Sequence, residues 1–304
     1  MERVLKNLNV LHSFECAARL QSYSLAAKEL CISQAAVSQQ MRQLESTLGC
    51  QLFLRKGKKM LLTQKGQTLF SAAQRAFRQL QKGINEIKSQ ELSGSLTITS
   101  TQAFISLWLM PRLSQFSSQY PDIRVHVVSS PGFDDLRQRH IDLAIRFGAR
   151  VEQNTGIDYR CEYFGEDSVY PVCSPQLAKE LDLKEPLDLL KTWLVTLEKP
   201  GAFNWGTWFE QTGITAYKQH QQWTQVHTTD MALNAVQNAH GVTLAARYLC
   251  QQQLDSGQLV HPIKLPHPTK VKRYLVFDPS SAKLKRIEAF SDWLKQAMTE
   301  HKNE

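Results

Sequence analysis

Residues 33–49 read SQAAVSQQMRQLESTLG, and the spacing within this stretch decides the N-terminal fold. Ser33 is a suitable helix N-cap. Ala36, Val37, Met41, Leu44 and Leu48 recur at helical spacing as one apolar stripe, with Gln34, Ala35, Ser38, Gln39 and Arg42 around them. Gly49 stands where a helix end calls for a positive φ. Upstream, Leu8, Leu11, Phe14, Ala17 and Ala18 predict an amphipathic helix ending near Arg19. Ser24 is then placed to cap a second helix, with Leu25, Ala26, Ala27 and Leu30 inward and Cys31-Ile32 as the turn. Downstream, QLFLRKGKKMLLT (51–63) reads as a β-hairpin around Lys56-Gly57-Lys58-Lys59. Three helices and a basic hairpin predict a winged helix-turn-helix over residues 1–65.

Charge supports a polyanion as its partner. Residues 1–90 hold 14 Lys or Arg against 5 Glu and no Asp, whereas the rest of the chain holds 22 bases against 23 acids. The whole excess of +8 therefore comes from one end. A cationic segment beside a near-neutral body is the electrostatic footprint of a nucleic-acid reader with a second module attached.

Two further segments follow. From Thr63 to about Gln90, Leu69, Ala73, Ala76, Leu80, Ile84 and Ile87 step at nearly the coiled-coil period, predicting one long helix. Such a helix is too thin to bury its stripe alone, so 66–91 is assigned as a linker and dimerisation helix. After a hinge at Leu92-Ser93-Gly94-Ser95, strands and helices alternate. The predicted strands are LTITS (96–100), IRVHVV (123–128), DLAIRFG (142–148), VYPVCSP (169–175), LVTLE (194–198), WTQVHTT (223–229), VTLAA (242–246) and KRYLVFD (272–278). Helices are expected between them, near 104–118, 134–139 and 230–239, and at the end near 284–298. Alternation of this kind predicts a largely parallel sheet in each of two small α/β lobes, with a ligand cleft between them. The effector module spans 92–304, with lobe I at 92–167 plus 266–304 and lobe II at 168–265. The fold class is thus multidomain α plus α/β.

Composition and motifs exclude other classes. No apolar run approaches the roughly 18–20 residues of a membrane span. The first residues lack the apolar core of a secretory signal, which predicts a cytoplasmic protein. Six cysteines (Cys16, Cys31, Cys50, Cys161, Cys173, Cys250) stand far apart, and the nine histidines show no ligand spacing, so no metal site is expected. There is no Gly-rich phosphate loop and no Gly-x-Ser-x-Gly elbow, so neither a cofactor nor an enzyme is expected. A thiol switch at Cys161 or Cys173 is the alternative from another class.

The first 66 residues resemble the DNA-binding domain of LysR-type transcriptional regulators. The match runs through Leu8, Phe14, Ala17-Ala18, Ser24, Ala26-Ala27, Leu30, Ser33-Gln34, Ala36-Val37-Ser38, Leu44-Glu45, Leu48-Gly49, Leu52-Phe53, Arg55, Leu62-Thr63 and Gly66. Gln21-Ser22-Tyr23 departs from it, where the family often has a Gly before its Ser-Phe pair. More weakly, 108–113, Tyr120-Pro121, 141–145 and 171–175 resemble the glycine-cleavage activator subgroup, and 90–94 with Thr229-Asp230 the D-serine deaminase activator. The resemblance implies two lobes like type 2 periplasmic binding proteins, with an amino-acid-like effector between them. It also implies promoter DNA and RNA polymerase as partners, homodimers paired into homotetramers, and activation of transcription.

Site residues follow from these placements. At the start of the third helix, Gln34 can bond an adenine edge twice, Ala35 can meet a thymine methyl, and Ser38, Gln39 and Arg42 continue that face. Ser33 with the helix N-terminus is assigned to a phosphate, Ser24 and Thr63 to the DNA-binding surface, and Arg55 and Lys58 on the wing to the backbone or minor groove. In the effector module, Thr101, Gln102, Ser129, Ser130, Phe147, Thr196 and Thr229 lie at C-terminal strand ends, where α/β ligands bind. Thr229 precedes a helix whose amides suit a carboxylate, and Arg146 is a second carboxylate partner. Ala103 stands where relatives often offer a Ser.

Overall fold

The structure is a computed structural model describing residues 8–56, 59–87, 92–130, Leu136, 140–156 and 158–300, with backbone alone at 55–56, 59, 78, 81–82, 85–87 and 300. It divides into two compact units, Met1–Ser89 and Gln90–Glu304.

The N-terminal unit contains α1 (Leu8–Leu20), α2 (Tyr23–Glu29), α3 (Gln34–Leu48), β1 (Phe53–Lys56), β2 (Lys59–Leu62) and α4 (Gln64–Ile87). Its core is built from Leu11, Phe14 and Ala17 of α1, Ala26 and Ala27 of α2, and Val37, Met41 and Leu44 of α3. Ser33 caps α3 by accepting from the Ala36 amide at 3.1 Å, and Gly49 ends it at φ +64°. Two expectations need correction. Ser22 rather than Ser24 caps α2, accepting from the Leu25 amide at 3.3 Å, which moves the helix start two residues upstream, and Leu25 turns out at 52% exposure. Leu8 and Leu48 are exposed too, because each lies at a helix end beyond the three-helix core. The long helix begins at Gln64, close to the expected start at Thr63, and Thr63 caps it by accepting from the Gly66 amide at 2.9 Å.

The hairpin is held to α3. The Glu45 carboxylate accepts from the Leu52 and Phe53 amides at 2.7 and 3.2 Å, and β1 pairs antiparallel with β2. The predicted tip residues Gly57 and Lys58, and the expected end of α4 at Gln90, lie outside the described residues. Along α4, Leu69, Phe70 and Phe77 engage the three-helix core and Ala73 is buried, whereas Leu80 and Ile84 remain 50% and 46% exposed.

The second unit has two sheets. In chain order its elements are β3 (Gly94–Ser100), α5 (Gln102–Phe104), a π-helical turn (Ile105–Leu109), α6 (Met110–Gln119), β4 (Ile123–Ser129), β5 (Leu143–Phe147), α7 (Val151–Asn154), β6 (Arg160–Asp167), β7 (Val169–Val172) and α8 (Pro175–Glu180). They continue with β8 (Leu194–Leu197), α9 (Trp205–Glu210), β9 (Trp223–Val226), α10 (Thr229–Gln237), β10 (Val242–Ala246), α11 (Arg247–Asp255), β11 (Val271–Phe277) and α12 (Leu284–Glu300). Sheet order is β4-β3-β5-β11-β6 in one lobe and β7-β10-β8-β9 in the other. The chain passes between sheets at Ser168 and returns before Val271.

Each sheet is mixed rather than largely parallel. Strands β4, β3 and β5 run parallel, but β11 is antiparallel to both β5 and β6, and β7 is antiparallel to β10. Those returning strands carry the crossovers between lobes. Gly94 and Ser95, expected in a hinge, pair with β4 and belong to β3. The helix expected near 134–139 falls almost wholly outside the described residues.

One apolar cluster runs from the first lobe into the second. It joins Phe104, Trp108, Phe116, Ile145 and Phe290 to Val195, Ala232, Leu233, Val236 and Cys250. Helix α10 thereby packs on the α5–α6 segment, and the two lobes share a core.

Two glycines in α4 have opposite surroundings. A Cβ on Gly66 would sit 2.1 Å from the Leu52 carbonyl oxygen, whereas one on Gly83 would meet nothing within 4 Å among the described residues. Chemical denaturation should show Gly66→Ala losing ~2–4 kcal/mol, since backbone must shift. Gly83→Ala should instead gain ~0.5–1 kcal/mol from helix propensity alone.

Candidate functional site

On α3, packing decides which side chains stay wet. With Val37, Met41 and Leu44 buried, Gln34, Ala35, Gln39 and Arg42 are exposed and Ser38 is half-buried at the edge of the same face. This face begins at the helix N-terminus, whose partial positive charge favours phosphate. Three amides or hydroxyls with an arginine on one convex helix face suit the donor and acceptor pattern of a major groove. Ser24 is exposed, 3.1 Å from the Ser22 hydroxyl. Thr63 is committed elsewhere: its hydroxyl donates to the Gln51 carbonyl at 2.8 Å while capping α4. Arg55 lies on β1 opposite Met60, and Lys58 is among the residues not described.

In the second unit, the ends of β3, β4 and β5 gather most of the expected lobe I residues. Thr101 caps α5 by accepting from the Phe104 amide at 3.4 Å, and Gln102 beside it is exposed. Ser129 is exposed at the end of β4, and the Ser130 amide donates to the Ser100 carbonyl at 2.9 Å. Phe147 ends β5, its ring 5.1 Å from Phe104 and stacked 5.8 Å from Tyr248 of the other lobe.

Lobe II contributes Thr196, half-buried near the end of β8, and Thr229. Thr229 is the first residue of α10 rather than the one before it; Thr228 holds the cap position and its side chain makes no capping bond. Asp230, also in that first turn, has a buried Oδ1 without a hydrogen-bond partner among the described residues.

Arg146 does not join this group. It is 3% exposed, donates to the Ile145 carbonyl at 3.3 Å, and shares its sheet face with Ala144 and Tyr274. Phe147, its neighbour on the strand, necessarily points to the opposite face. Sequence reasoning missed Phe203, Tyr248 and Asp230. Phe203 and Tyr248 pack with Phe147 around Val169, Ala246 and Val271, where the chain changes lobes. The strand-end rule could have found both, since Tyr248 follows β10 and Phe203 lies in the loop after β8. Burial and the Asp167 carboxylate push the Tyr248 hydroxyl above its ordinary pKa, so it is a neutral donor.

The sequence profile of the bacterial regulatory helix-turn-helix protein, lysR family, matches residues 8–67, and that of the LysR substrate binding domain matches residues 89–299. The chain belongs to the LysR family. It is similar to the glycine cleavage system transcriptional activator of Escherichia coli (strain K12), 35% identical over 97% of this chain and 94% of that one. The HTH-type transcriptional regulator DsdC of the same strain is 32% identical over 95% of this chain and 93% of its own length. Among solved structures, ArgP from Mycobacterium tuberculosis superposes with a TM-score of 0.60 at 19% identity, covering 95% of this chain and 96% of that one. The effector domain of AmpR of Pseudomonas aeruginosa covers 69% of this chain and 98% of its own, with a TM-score of 0.56 at 26% identity.

As a LysR-family member, the chain is a DNA-binding transcriptional regulator with an effector-binding module, not an enzyme. LysR regulators bind promoter DNA and small-molecule effectors and form oligomers. Among the described residues no helix is long and apolar enough to cross a membrane, and no group of three or more His, Cys, Asp or Glu could hold a metal.

The thiol alternative finds little chemistry to use. Burial pushes Cys173 and Cys250 up to about 12, and burial with the nearby Glu15 and Glu29 does the same for Cys16. Burial also raises Cys161. A thiol so raised offers almost no thiolate near neutral pH. Iodoacetamide treatment of the folded protein at pH 8, read by mass spectrometry, should label exposed Cys31 first. Cys16, Cys173 and Cys250 should react only after unfolding.

Proposed function

We propose that this LysR-family regulator reads promoter DNA with Gln34, Ala35, Ser38, Gln39 and Arg42, helped by Ser24, Ser33, Arg55 and Lys58, and activates transcription in the cytoplasm. Its effector in this reading is amino-acid-like, with D-serine the favoured member. Thr101, Gln102, Ser129, Ser130, Thr196 and Thr229 supply polar groups to the cleft between the lobes, and Phe147, Phe203 and Tyr248 wall it. The uncapped first turn of α10 suits the ligand carboxylate.

The observation that carries the amino-acid reading is Asp230. A carboxylate oxygen buried without a partner is costly, and an ammonium group on the ligand would satisfy it. The exposed Leu80 and Ile84 of α4 support a second copy of this chain as the cover of that stripe, giving a dimer that can pair into a tetramer. Ligand closure of the lobes would then change the spacing of two DNA-reading helices.

Thermal melting of the full-length protein with D- and L-amino acids, against 2-hydroxy acids lacking the amine, tests the effector. A cognate amino acid at a hundredfold excess over Kd should raise Tm by about 5–10 °C, and Asp230→Asn should erase the preference over the hydroxy acid. If no amino acid of either hand moves Tm, the effector reading is wrong. For the DNA face, Gln34→Ala should cost ~1–3 kcal/mol on the protein's own upstream region and relax base preference. Arg55→Ala should weaken all sequences alike and flatten the salt dependence. Unchanged site selectivity in Gln34→Ala, measured by competition gel shift, would remove that side chain from the reader.

A further inference from the structure

Residues 265–269, LPHPT, form the return crossover from the second lobe to the first, and they carry a buried titratable group outside the set assigned to the effector. His267 is 2% exposed and stands between Pro266 and Pro268, which restrict how the backbone on either side of it can turn. Its amide donates to the Val169 carbonyl at 2.7 Å, beside the outward crossover, so one residue ties the two crossings together. Helix α9 holds the same segment from the other side. Nε1 of Trp208 donates to the Leu265 carbonyl at 3.1 Å, and Nε2 of Gln211 to the Pro266 carbonyl at 3.0 Å.

The surroundings hold this imidazole in its neutral form. Nδ1 accepts from the Thr269 amide at 3.0 Å, with the Thr269 carbonyl 3.3 Å away. An accepting Nδ1 leaves the neutral ring's proton on Nε2. The ring lies beside the Asn204 backbone and edge-on to Phe203 at 5.8 Å, yet Nε2 has no hydrogen-bond partner among the described residues. A second proton would take Nδ1 from the Thr269 amide and bury a cation on which no carboxylate among the described residues acts. The charged groups of the surrounding elements are engaged elsewhere: Lys270 lies 2.8 Å from Glu166, Arg273 3.2 Å from Asp167, Glu198 3.4 Å from His227, and Arg247 2.7 Å from Gln251. Lys199 is exposed, Tyr170 packs on His261, and Tyr248 is neutral. Burial therefore decides, and it pushes His267 below the ordinary histidine value.

We propose that His267 is a proton-sensitive pin of the interlobe crossover: its neutral ring ties residues 266–269 to Val169 and to the Phe203 loop, and in mild acid it takes up a proton only by letting them go. The sign follows from the burial. The closed form binds fewer protons at this ring than the opened one, so the pin is at full strength above pH 6.5, the ordinary histidine value, and weakens as pH falls below it. An opened ring that titrates normally multiplies the opening constant by about 1.1 at pH 7.5 and about 11 at pH 5.5, a change of about tenfold. Release also frees Phe203 and so loosens one wall of the effector cleft. That consequence for the effector rests on the cleft reading above, whereas the opening itself does not.

Hydrogen exchange of the full-length chain without any ligand tests the pin, read by mass spectrometry on peptides covering 199–204 and 266–271 at pH 7.5 and 5.5 and corrected for intrinsic rates. In the parent, opening of both segments should rise about tenfold at the lower pH. His267→Asn offers Oδ1 to the Thr269 amide but does not titrate, so its opening should change by less than about twofold. His267→Phe keeps a ring against Phe203, and should be equally insensitive to pH if the Asn variant does not fold. His261→Asn removes the other half-buried histidine nearby and should retain the tenfold rise. Opening that does not increase with acid in the parent, or that increases as much without the His267 imidazole, overturns the proposal.

Discussion

Burial of Val37, Met41 and Leu44 against Phe14, Ala17 and Ala26 is the constraint on which the N-terminal unit depends. An α-helix has one rotational setting once a stripe is committed to a core. That setting alone turns Gln34, Ala35, Gln39 and Arg42 to water. Two local devices fix the ends: the Ser33 hydroxyl at the start, and Gly49 with a left-handed φ at the finish. Glu45 then carries the order outward, its carboxylate holding the first amides of the hairpin. The residues assigned to base edges are thus positioned by neighbours that would never touch DNA.

The second unit obeys a different constraint. Its two sheets are small, and each lobe completes its burial against the other through Phe104, Trp108, Ala232, Leu233 and Val236. Sharing a core keeps the lobes in contact, while the two chain crossovers beside Val169 and Val271 leave few covalent links to resist their relative movement. Phe147, Phe203 and Tyr248 pack together at those crossovers. Arg273 shows what such a sheet can tolerate in its interior. A bulge between β6 and β11, with Gly165 at φ +129°, opens the space its guanidinium occupies beside Asp167.

By itself the sequence determined most of the order of elements, the winged helix-turn-helix, the family and the wet face of α3. Each of these rests on periodicity or capping within a few residues, where chemistry and conformation are directly coupled. It also placed Thr101, Ser129 and Phe147 at strand ends, because strand limits are local too. The tertiary structure alone decided the rest. Strand β6 (RCEYFGED) is invisible to alternation because its bulge breaks the period and its half-exposed edge tolerates Glu162, Glu166 and Asp167. The direction of β11, the face onto which Arg146 turns, and the meeting of Tyr248 with Phe147 depend on partners up to a hundred or more residues away. Such pairings follow from which surfaces can be buried together, and no short window of sequence holds both surfaces.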